Sequence, residues 1–225
     1  MSRQRDVSGG GRAVEVGADR LARWFDRFAE RNDGVRATTL TPTEVVVHGG
    51  DGTTATVGVP FAPLDVDGEQ RREGLDVAAL VEHISRPRRV GLLLVRLGGH
   101  SLGVAEGGSV VLSRTDRRLV HGRSAAGGWS QHRFARRREG QARQALRAAA
   151  EDVREVLVPR LGELDAVVLG GDRRALDELR EDRRLAPVFA KAQPWVLDVG
   201  EPRRTVLDDA AERVRAVEII VRDPA

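Results

Sequence analysis

Three short apolar runs separated by glycine turns place the strongest constraint on how this 225-residue chain folds. Each run has the length of a strand, and the turns between them read Gly-Gly-His and Gly-Gly. Strands joined by such short turns pair with their sequence neighbours, so the pattern predicts an antiparallel meander of three strands. The predicted strands are Val90–Leu97, Ser101–Glu106 and Ser109–Arg114.

The elements predicted after the meander alternate between helix and strand. A long helix from about His132 to Pro159 has an apolar stripe, which predicts a buried face formed by Ala142, Ala145, Leu146, Ala149, Val153, Val156 and Leu157. The later elements are a strand at Asp165–Gly170, a helix at Asp172–Glu181, a strand at Trp195–Val199 and a last helix at Thr205–Val217, which could extend to Ile220. This order predicts an α+β or α/β fold in which helices pack on a mixed sheet, as in ribonuclease-H-like domains.

The residues before the meander predict a separate, smaller α+β module. Residues 1–12 are polar and glycine-rich, and we predict that they form a disordered tail. The module at 13–85 is predicted to contain a helix at Ala18–Arg31, strands at Val35–Thr39, Glu44–His48 and Thr53–Val59, a loop at Pro60–Gly74 and a short helix at Leu75–Ile84. Since the arginine- and proline-rich stretch Ser85–Arg89 is typical of a boundary, we predict the second domain at 86–225.

Composition excludes several kinds of site. The chain has no cysteine, which excludes disulfides, thiolate metal sites and a cysteine nucleophile. Its five histidines are dispersed without the spacing of metal ligands, and we expect neither a metal nor a cofactor. No apolar run approaches the ~20 residues of a membrane span, and the N-terminus lacks a hydrophobic signal region. We therefore expect a cytoplasmic monomer that does not bind a membrane.

Positive charge is concentrated around the start of the long helix. From Arg114 to Arg147 the sequence has ten arginines and two acidic residues, a net charge of +8 within 34 residues, whereas the whole chain has only +3. A local excess of this kind is typical of a protein that binds a phosphate backbone. A solvated, arginine-rich helix face is the alternative interpretation of the charges alone.

A glycine-containing loop lies directly before this basic helix. It reads Gly127-Gly128-Trp129-Ser130-Gln131, and a glycine pair lets the backbone approach a ligand closely. Gln131 comes near the N-terminus of the helix, where free N–H groups favour anions. The alternative is an ordinary loop in which Ser130 caps the helix.

The meander, the loop ending in glutamine, the basic helix and the VVLGG strand resemble the catalytic middle domain of eukaryotic- and archaeal-type peptide-chain release factors. That domain holds a Gly-Gly-Gln loop at the equivalent place. The resemblance is closer to the VLRF branch, the release-factor-like domain of Vms/ANKZF ribosome-quality-control proteins, which also occurs in actinobacteria. Loops in that branch have extra residues between the glycines and the glutamine, as this chain has. The resemblance covers about residues 88–222.

The resemblance implies a peptidyl-tRNA hydrolase that cleaves the ester between a nascent peptide and tRNA in the large ribosomal subunit. Gln131 would position and polarise the attacking water, because an amide both donates and accepts hydrogen bonds but has no useful pKa. Gly127, Gly128 and Ser130 would complete the catalytic loop. A loop N–H on the developing oxyanion would contribute ~3–4 kcal/mol.

The basic residues around the loop are then expected to bind rRNA or the tRNA acceptor stem. Such phosphate contacts position the protein without reading sequence. Trp129 would stack on the tRNA end, or else clamp the loop. The expected RNA-binding arginines are Arg123, Arg133, Arg136, Arg137, Arg143 and Arg147.

Two departures from ordinary release factors change the expected role. Two residues separate Gly128 from Gln131, so the Gly-Gly-Gln spacing is broken. The N-terminal module also lacks an Asn-Ile-Lys-Ser-type codon-reading motif, and we therefore expect codon-independent release on stalled nascent chains, which is ribosome rescue.

Two other functions remain open from the sequence. A ribonuclease-H-like fold also suits a metal-dependent nuclease, which could cut the tRNA 3′ end and would need carboxylates at strand ends. The acidic candidates for such a site are Glu106, Asp116, Asp165 and Asp172. The other alternative is a ribosome- or RNA-binding module without catalysis.

Overall fold

A computed structural model describes residues 4–8, 10–96, 98–117 and 130–224. Within them, the side chains of residues 117 and 130–139 are not described. The chain divides into two compact units, which are Met1–Pro87 with Arg213–Ala225, and Arg88–Glu212.

The first unit is a seven-stranded antiparallel sheet with two α-helices. The helices are α1 (Leu21–Arg31), which follows a 3-10 turn at Ala18–Arg20, and α2 (Ala78–Ser85). The strands are β1 (Gln4–Asp6), β2 (Arg12–Gly17), β3 (Val35–Leu40), β4 (Glu44–Gly49), β5 (Thr54–Gly58), β6 (Gln70–Glu73) and, from the end of the chain, β12 (Ala216–Arg222). Their order in the sheet is β1-β2-β12-β5-β4-β3-β6.

An amphipathic helix and alternating strands build the core of this unit. Leu21, Phe25 and Phe28 of α1 are buried, and Trp24 stacks on Phe28 with 5.8 Å between ring centroids. The inward positions of β4, β5 and β12 are Val, Ala or Ile, which alternate with polar or half-exposed neighbours. Burial of one helix face against one sheet face therefore holds this unit together.

Three predictions for this unit were wrong. The predicted tail at 1–12 contains β1, which pairs with β2, and the predicted loop at Pro60–Gly74 contains β6, which pairs with β3. Both strands are polar and lie at the two edges of the sheet, so neither shows the apolar alternation that marks a strand in sequence. The predicted last helix instead ends at Arg213, and β12 follows between β2 and β5.

The second unit is a mixed five-stranded sheet with helices. Its order is β11-β10-β7-β8-β9, in which β7, β8 and β9 form the predicted antiparallel meander, and β10 runs parallel to both β7 and β11. The strands are β7 (Arg89–Arg96), β8 (Gly99–Glu106), β9 (Ser109–Arg117), β10 (Ala166–Gly171) and β11 (Ala192–Leu197). The helices are α3 (Ser130–Val156), α4 (Arg173–Arg180), α5 (Ala186–Ala190) and α6 (Arg204–Arg213), with 3-10 turns at Val158–Glu163 and Arg183–Leu185.

The predicted ribonuclease-H-like sheet with packed helices is therefore confirmed. The central strand β7 is buried from Val90 to Val95 on both of its faces, as expected for a strand with helices on either side. Helix α3 packs on this sheet through Ala145, Ala149 and Val153, and most of its predicted apolar stripe is buried. Ala142 and Leu146, at the margin of that stripe, are half-buried.

Candidate functional site

The candidate catalytic loop joins the sheet to the start of α3. Strand β9 ends at Arg117 and α3 begins at Ser130, so the twelve residues 118–129 connect them. Gln131 is the second residue of α3, and the helix begins two residues before its predicted start. Gly127, Gly128, Trp129 and Arg123 lie outside the described residues. The roles assigned to them, and to Ser130 and Gln131, stay predictions.

The connection leaves the sheet at the end where α4 also begins. Arg117, the last residue of β9, pairs with Gly99 of β8, and Gly99 pairs with Arg96 at the end of β7. At the same end of β7, the backbone N–H of Asp172 donates to the carbonyl of Val95 at 2.8 Å. The end of β7, the start of β8, the end of β9 and the start of α4 therefore lie along one edge of the sheet.

Arginines at helical spacing share one face of α3. Arg143 and Arg147 are exposed, lie one turn apart and make no hydrogen bond or ion pair with another described residue. Positions 133, 136 and 137 continue the same spacing toward the helix start, because the helix is unbroken from Ser130 to Val156. The helical register therefore keeps all five arginine positions off the buried stripe, with position 143 nearest to its margin.

A polar cluster on the buried side connects α3 to the meander. The carboxylate of Asp152 accepts a hydrogen bond from Arg114 on β9 at 2.8 Å and lies 2.8 Å from Nε2 of His100 on β8. Arg114 also donates to Glu155, one turn further along α3, at 2.6 Å. His100 is only 1% exposed, so its imidazole meets Asp152 from a buried position, whereas the Asp152 side chain is 20% exposed. We call these four residues the α3 clamp.

The charges of the clamp perturb one another. Burial raises the pKa of Asp152, but the hydrogen bonds from His100 and Arg114 outweigh burial and hold that pKa below its usual value. The hydrogen bonds to Glu155 and Asp152 raise the pKa of Arg114. Arg114 was counted in the basic concentration of the sequence, but two carboxylates already bind its guanidinium. The clamp therefore fixes α3 on the sheet and is not a phosphate site.

A second set of ion pairs follows on the C-terminal half of α3. Glu151 accepts hydrogen bonds from Arg154 at 2.9 Å and from Arg184 at 2.7 Å, and both lower its pKa. Arg184 in turn binds Asp182, whose pKa it also lowers. Arg154, in the last turn of α3, is therefore paired with acids, whereas Arg143 and Arg147 make no such pair with another described residue.

The acids considered for a nuclease site mostly have structural partners. Asp165 accepts the backbone N–H of Arg89 at 2.6 Å, and Glu106 pairs with the Arg89 side chain at 3.1 Å. Asp172 caps α4 by accepting the N–H groups of Arg174 and Ala175. Among the described residues no group of three or more His, Asp or Glu side chains could hold a metal ion.

The sequence did not single out His100, Asp152 or Glu155. Their contacts become visible only in the folded structure, because 52 residues separate His100 from Asp152 in sequence. The only sequence hint was a histidine inside an otherwise apolar or small-residue strand, which favours a partnered polar group.

Comparison with known proteins identifies one family. The family model for the actinobacterial and chloroflexi VLRF1 release factor matches residues 88–220, more than half of the chain. No curated protein matches the chain. In the part of the chain that the structure describes, no helix is long and apolar enough to span a membrane.

Three solved structures with some similarity are archaeal proteins. An archaeal protein has 14% identity and a TM-score of 0.41, and the match covers 73% of this chain but only 48% of that one, less than half of its length. The archaeal translation termination factor aRF1 has 14% identity, a TM-score of 0.43 and coverages of 89% and 73%. Pelota from Archaeoglobus fulgidus has 13% identity, a TM-score of 0.28 and coverages of 95% and 67%.

Proposed function

Because the chain belongs to the actinobacterial and chloroflexi VLRF1 release-factor family, we propose that it hydrolyses peptidyl-tRNA on the large ribosomal subunit. Its action is independent of the codon and rescues stalled nascent chains in the cytoplasm, where the protein works as a monomer. The observation that carries this proposal is the family match across the segment that contains the Gly127–Gln131 loop. The position of Gln131 in the first turn of α3 supports it.

Gln131 acts by positioning water rather than by accepting its proton. The amide oxygen accepts a hydrogen bond from the attacking water and the amide N–H₂ donates to the reacting centre. Holding water and ester in a reactive geometry lowers the entropic part of the barrier. A backbone N–H of the loop that contains Gly127, Gly128 and Ser130 donates to the developing oxyanion, and hydroxyl groups of the RNA act as the base.

Arginines on the outer face of α3 bind the RNA around the ester. Arg143 and Arg147 are exposed and free of described acidic partners, and Arg133, Arg136 and Arg137 belong to the same helical face. Arg123 and Trp129 belong to the loop itself, where Trp129 stacks on the tRNA end. The clamp holds α3 on the sheet, so these contacts act on a helix of fixed position.

The test is release of a labelled peptide from peptidyl-tRNA on isolated large subunits, with the tRNA 3′ end analysed in the same reaction. Wild type is compared with Gln131→Ala and with Gln144→Ala as a matched control, since Gln144 is an exposed glutamine on the same helix. We expect wild type and Gln144→Ala to release peptide from intact tRNA. Gln131→Ala should be at least ~100-fold slower at saturating subunits.

Three outcomes would contradict the proposal in different ways. Equal rates for wild type and Gln131→Ala would remove this residue from the reaction. A shortened tRNA 3′ end would identify a nuclease. Binding to subunits without release of peptide or nucleotide would leave a ribosome-binding module.

A further inference from the structure

Three elements meet around a shallow depression at the edge of the second unit's sheet. It is lined by Ala142, Ala145 and Leu146 of α3, Ala175 of α4, and Val95 and Arg96 at the end of β7. Three of these six residues are alanines, and α3 and α4 contact each other directly. Each helix has arginines next to the lining residues in sequence, so these arginines lie near the depression.

Four arginines without described partners lie beside this depression. Arg143 follows Ala142 and Arg147 follows Leu146 on α3, while Arg173 and Arg174 precede Ala175 on α4. All four are exposed, and none makes a hydrogen bond or ion pair through its side chain with another described residue. We call them the rim arginines.

Two acidic groups near these arginines, Asp172 and Asp177, are already bound elsewhere. Asp172 precedes the two α4 arginines, but its carboxylate accepts backbone N–H groups of α4 at 2.9 and 3.4 Å. Asp177 lies one turn along α4 and pairs with Arg180 at 3.6 Å. Such a group of unpaired guanidinium groups attracts a multiply charged anion.

The backbone holds the α4 arginines in a fixed place. Gly171 has a φ of +101°, and a Cβ atom there would meet the carbonyl oxygen of Val95. The backbone N–H of Asp172 donates to this same carbonyl. Because this turn ties the start of α4 to the end of β7, Arg173 and Arg174 are presented from a rigid edge and not from a loop.

We propose that the rim arginines bind RNA phosphates as one surface, in which Arg173 and Arg174 of α4 extend the arginine face of α3. A guanidinium binds phosphate oxygens in a bidentate manner, and separate phosphates along a backbone match arginines on two adjacent helices. This surface rests on the proposed function, which supplies the RNA. It lies at the sheet edge where the connection to the catalytic loop leaves β9.

The test measures affinity for isolated large subunits between 50 and 200 mM KCl, with and without bound peptidyl-tRNA. The variant is the double substitution Arg173→Gln and Arg174→Gln. The matched control is Arg23→Gln with Arg27→Gln on α1, two exposed arginines of the first unit that also have no described partner. Glutamine is a good helix former, and far-ultraviolet circular dichroism checks that both variants fold.

We expect the α4 variant to bind about tenfold more weakly at low salt and the control to bind like wild type. The slope of log affinity against log salt should fall by about 1.5–2, because two phosphate contacts are lost. If the α4 variant loses affinity for subunits both with and without bound peptidyl-tRNA, the phosphates belong to rRNA. Loss only with peptidyl-tRNA bound would assign them to tRNA.

An unchanged affinity or salt slope in the α4 variant would refute the proposed RNA-binding surface. An equal loss of affinity in the control variant would refute it as well. These results can be separated from failure of the proposed function. If wild type binds subunits through these arginines but releases no peptide, the RNA-binding surface is supported and the proposed hydrolysis is wrong.

Discussion

Removal of the Asp152 carboxylate tests whether the clamp determines the stability of α3 on its sheet. In Asp152→Ala, Nε2 of the buried His100 loses its partner, and Arg114 keeps only Glu155. A hydrogen bond to a charged group contributes about 1.5–3 kcal/mol, and a buried polar atom left without a partner costs about 1–3 kcal/mol. These ranges describe overlapping effects, and the higher helix propensity of alanine offsets about 0.5 kcal/mol.

We therefore expect Asp152→Ala to lower the free energy of unfolding of the second unit by about 2–3 kcal/mol. Native-state hydrogen exchange measures this loss as a decrease of about 30- to 150-fold in the protection of the slowest amides of α3 and β8. Glu155→Ala is the matched control, because Glu155 binds the same Arg114 but its side chain is 49% exposed. An exposed pair is worth about 0–1 kcal/mol.

Because His100 is buried, Asp152→Ala should lower the protection more than Glu155→Ala does. If Asp152→Ala and Glu155→Ala lower protection equally, or if Asp152→Ala costs less than about 0.5 kcal/mol, the buried contact does not stabilise the helix. Asp152→Asn keeps an acceptor oxygen, and it should retain part of the protection that Asp152→Ala loses.

Two further predictions concern other parts of the fold. Burial and the charges of Arg71 and Arg36 lower the pKa of His48 from 6.5, so the unfolded chain binds this proton more readily than the folded chain. The stabilising effect of a neutral His48 is present above pH 6.5 and is lost as the pH falls from there through the lower pKa of the folded state. When the pH is lowered from 7.5 to 5.5, the Tm of His48→Gln should therefore decrease less than the Tm of wild type. An equal decrease would contradict this pKa assignment. Gly171→Ala should destabilise the second unit by ~1–3 kcal/mol, because alanine at a φ of +101° is strained and its Cβ would meet the Val95 carbonyl. An unchanged midpoint of urea unfolding would show that the turn tolerates a side chain.

Local patterns made most of the second unit predictable. The strands β7, β8 and β9 are apolar or alternating runs joined by glycine turns, and the long helix α3 has an apolar stripe of its own. The position of Gln131 at a helix start followed from the loop that precedes it. These features depend on neighbours in sequence, so the sequence contains the information that determines them.

Elements that depend on distant partners were harder to predict. Strand β1 has the sequence Gln-Arg-Asp and β6 has Gln-Arg-Arg-Glu, so neither shows an apolar alternation. Strand β12 does alternate, with Val217, Ile219 and Val221 buried, but its partners begin at Arg12 and Thr54. The clamp likewise joins residues far apart in sequence, and no local pattern signals its ion pairs.

The place of β12 has a consequence for how the chain is made. It lies between β2 and β5, so the first sheet stays divided until residues 216–222 have been synthesised. The second unit, Arg88–Glu212, is complete earlier and can fold while the first unit still lacks an interior strand. During translation the part that is encoded later therefore finishes first. Strands β2 and β5 keep exposed edges until β12 has been synthesised and pairs with both.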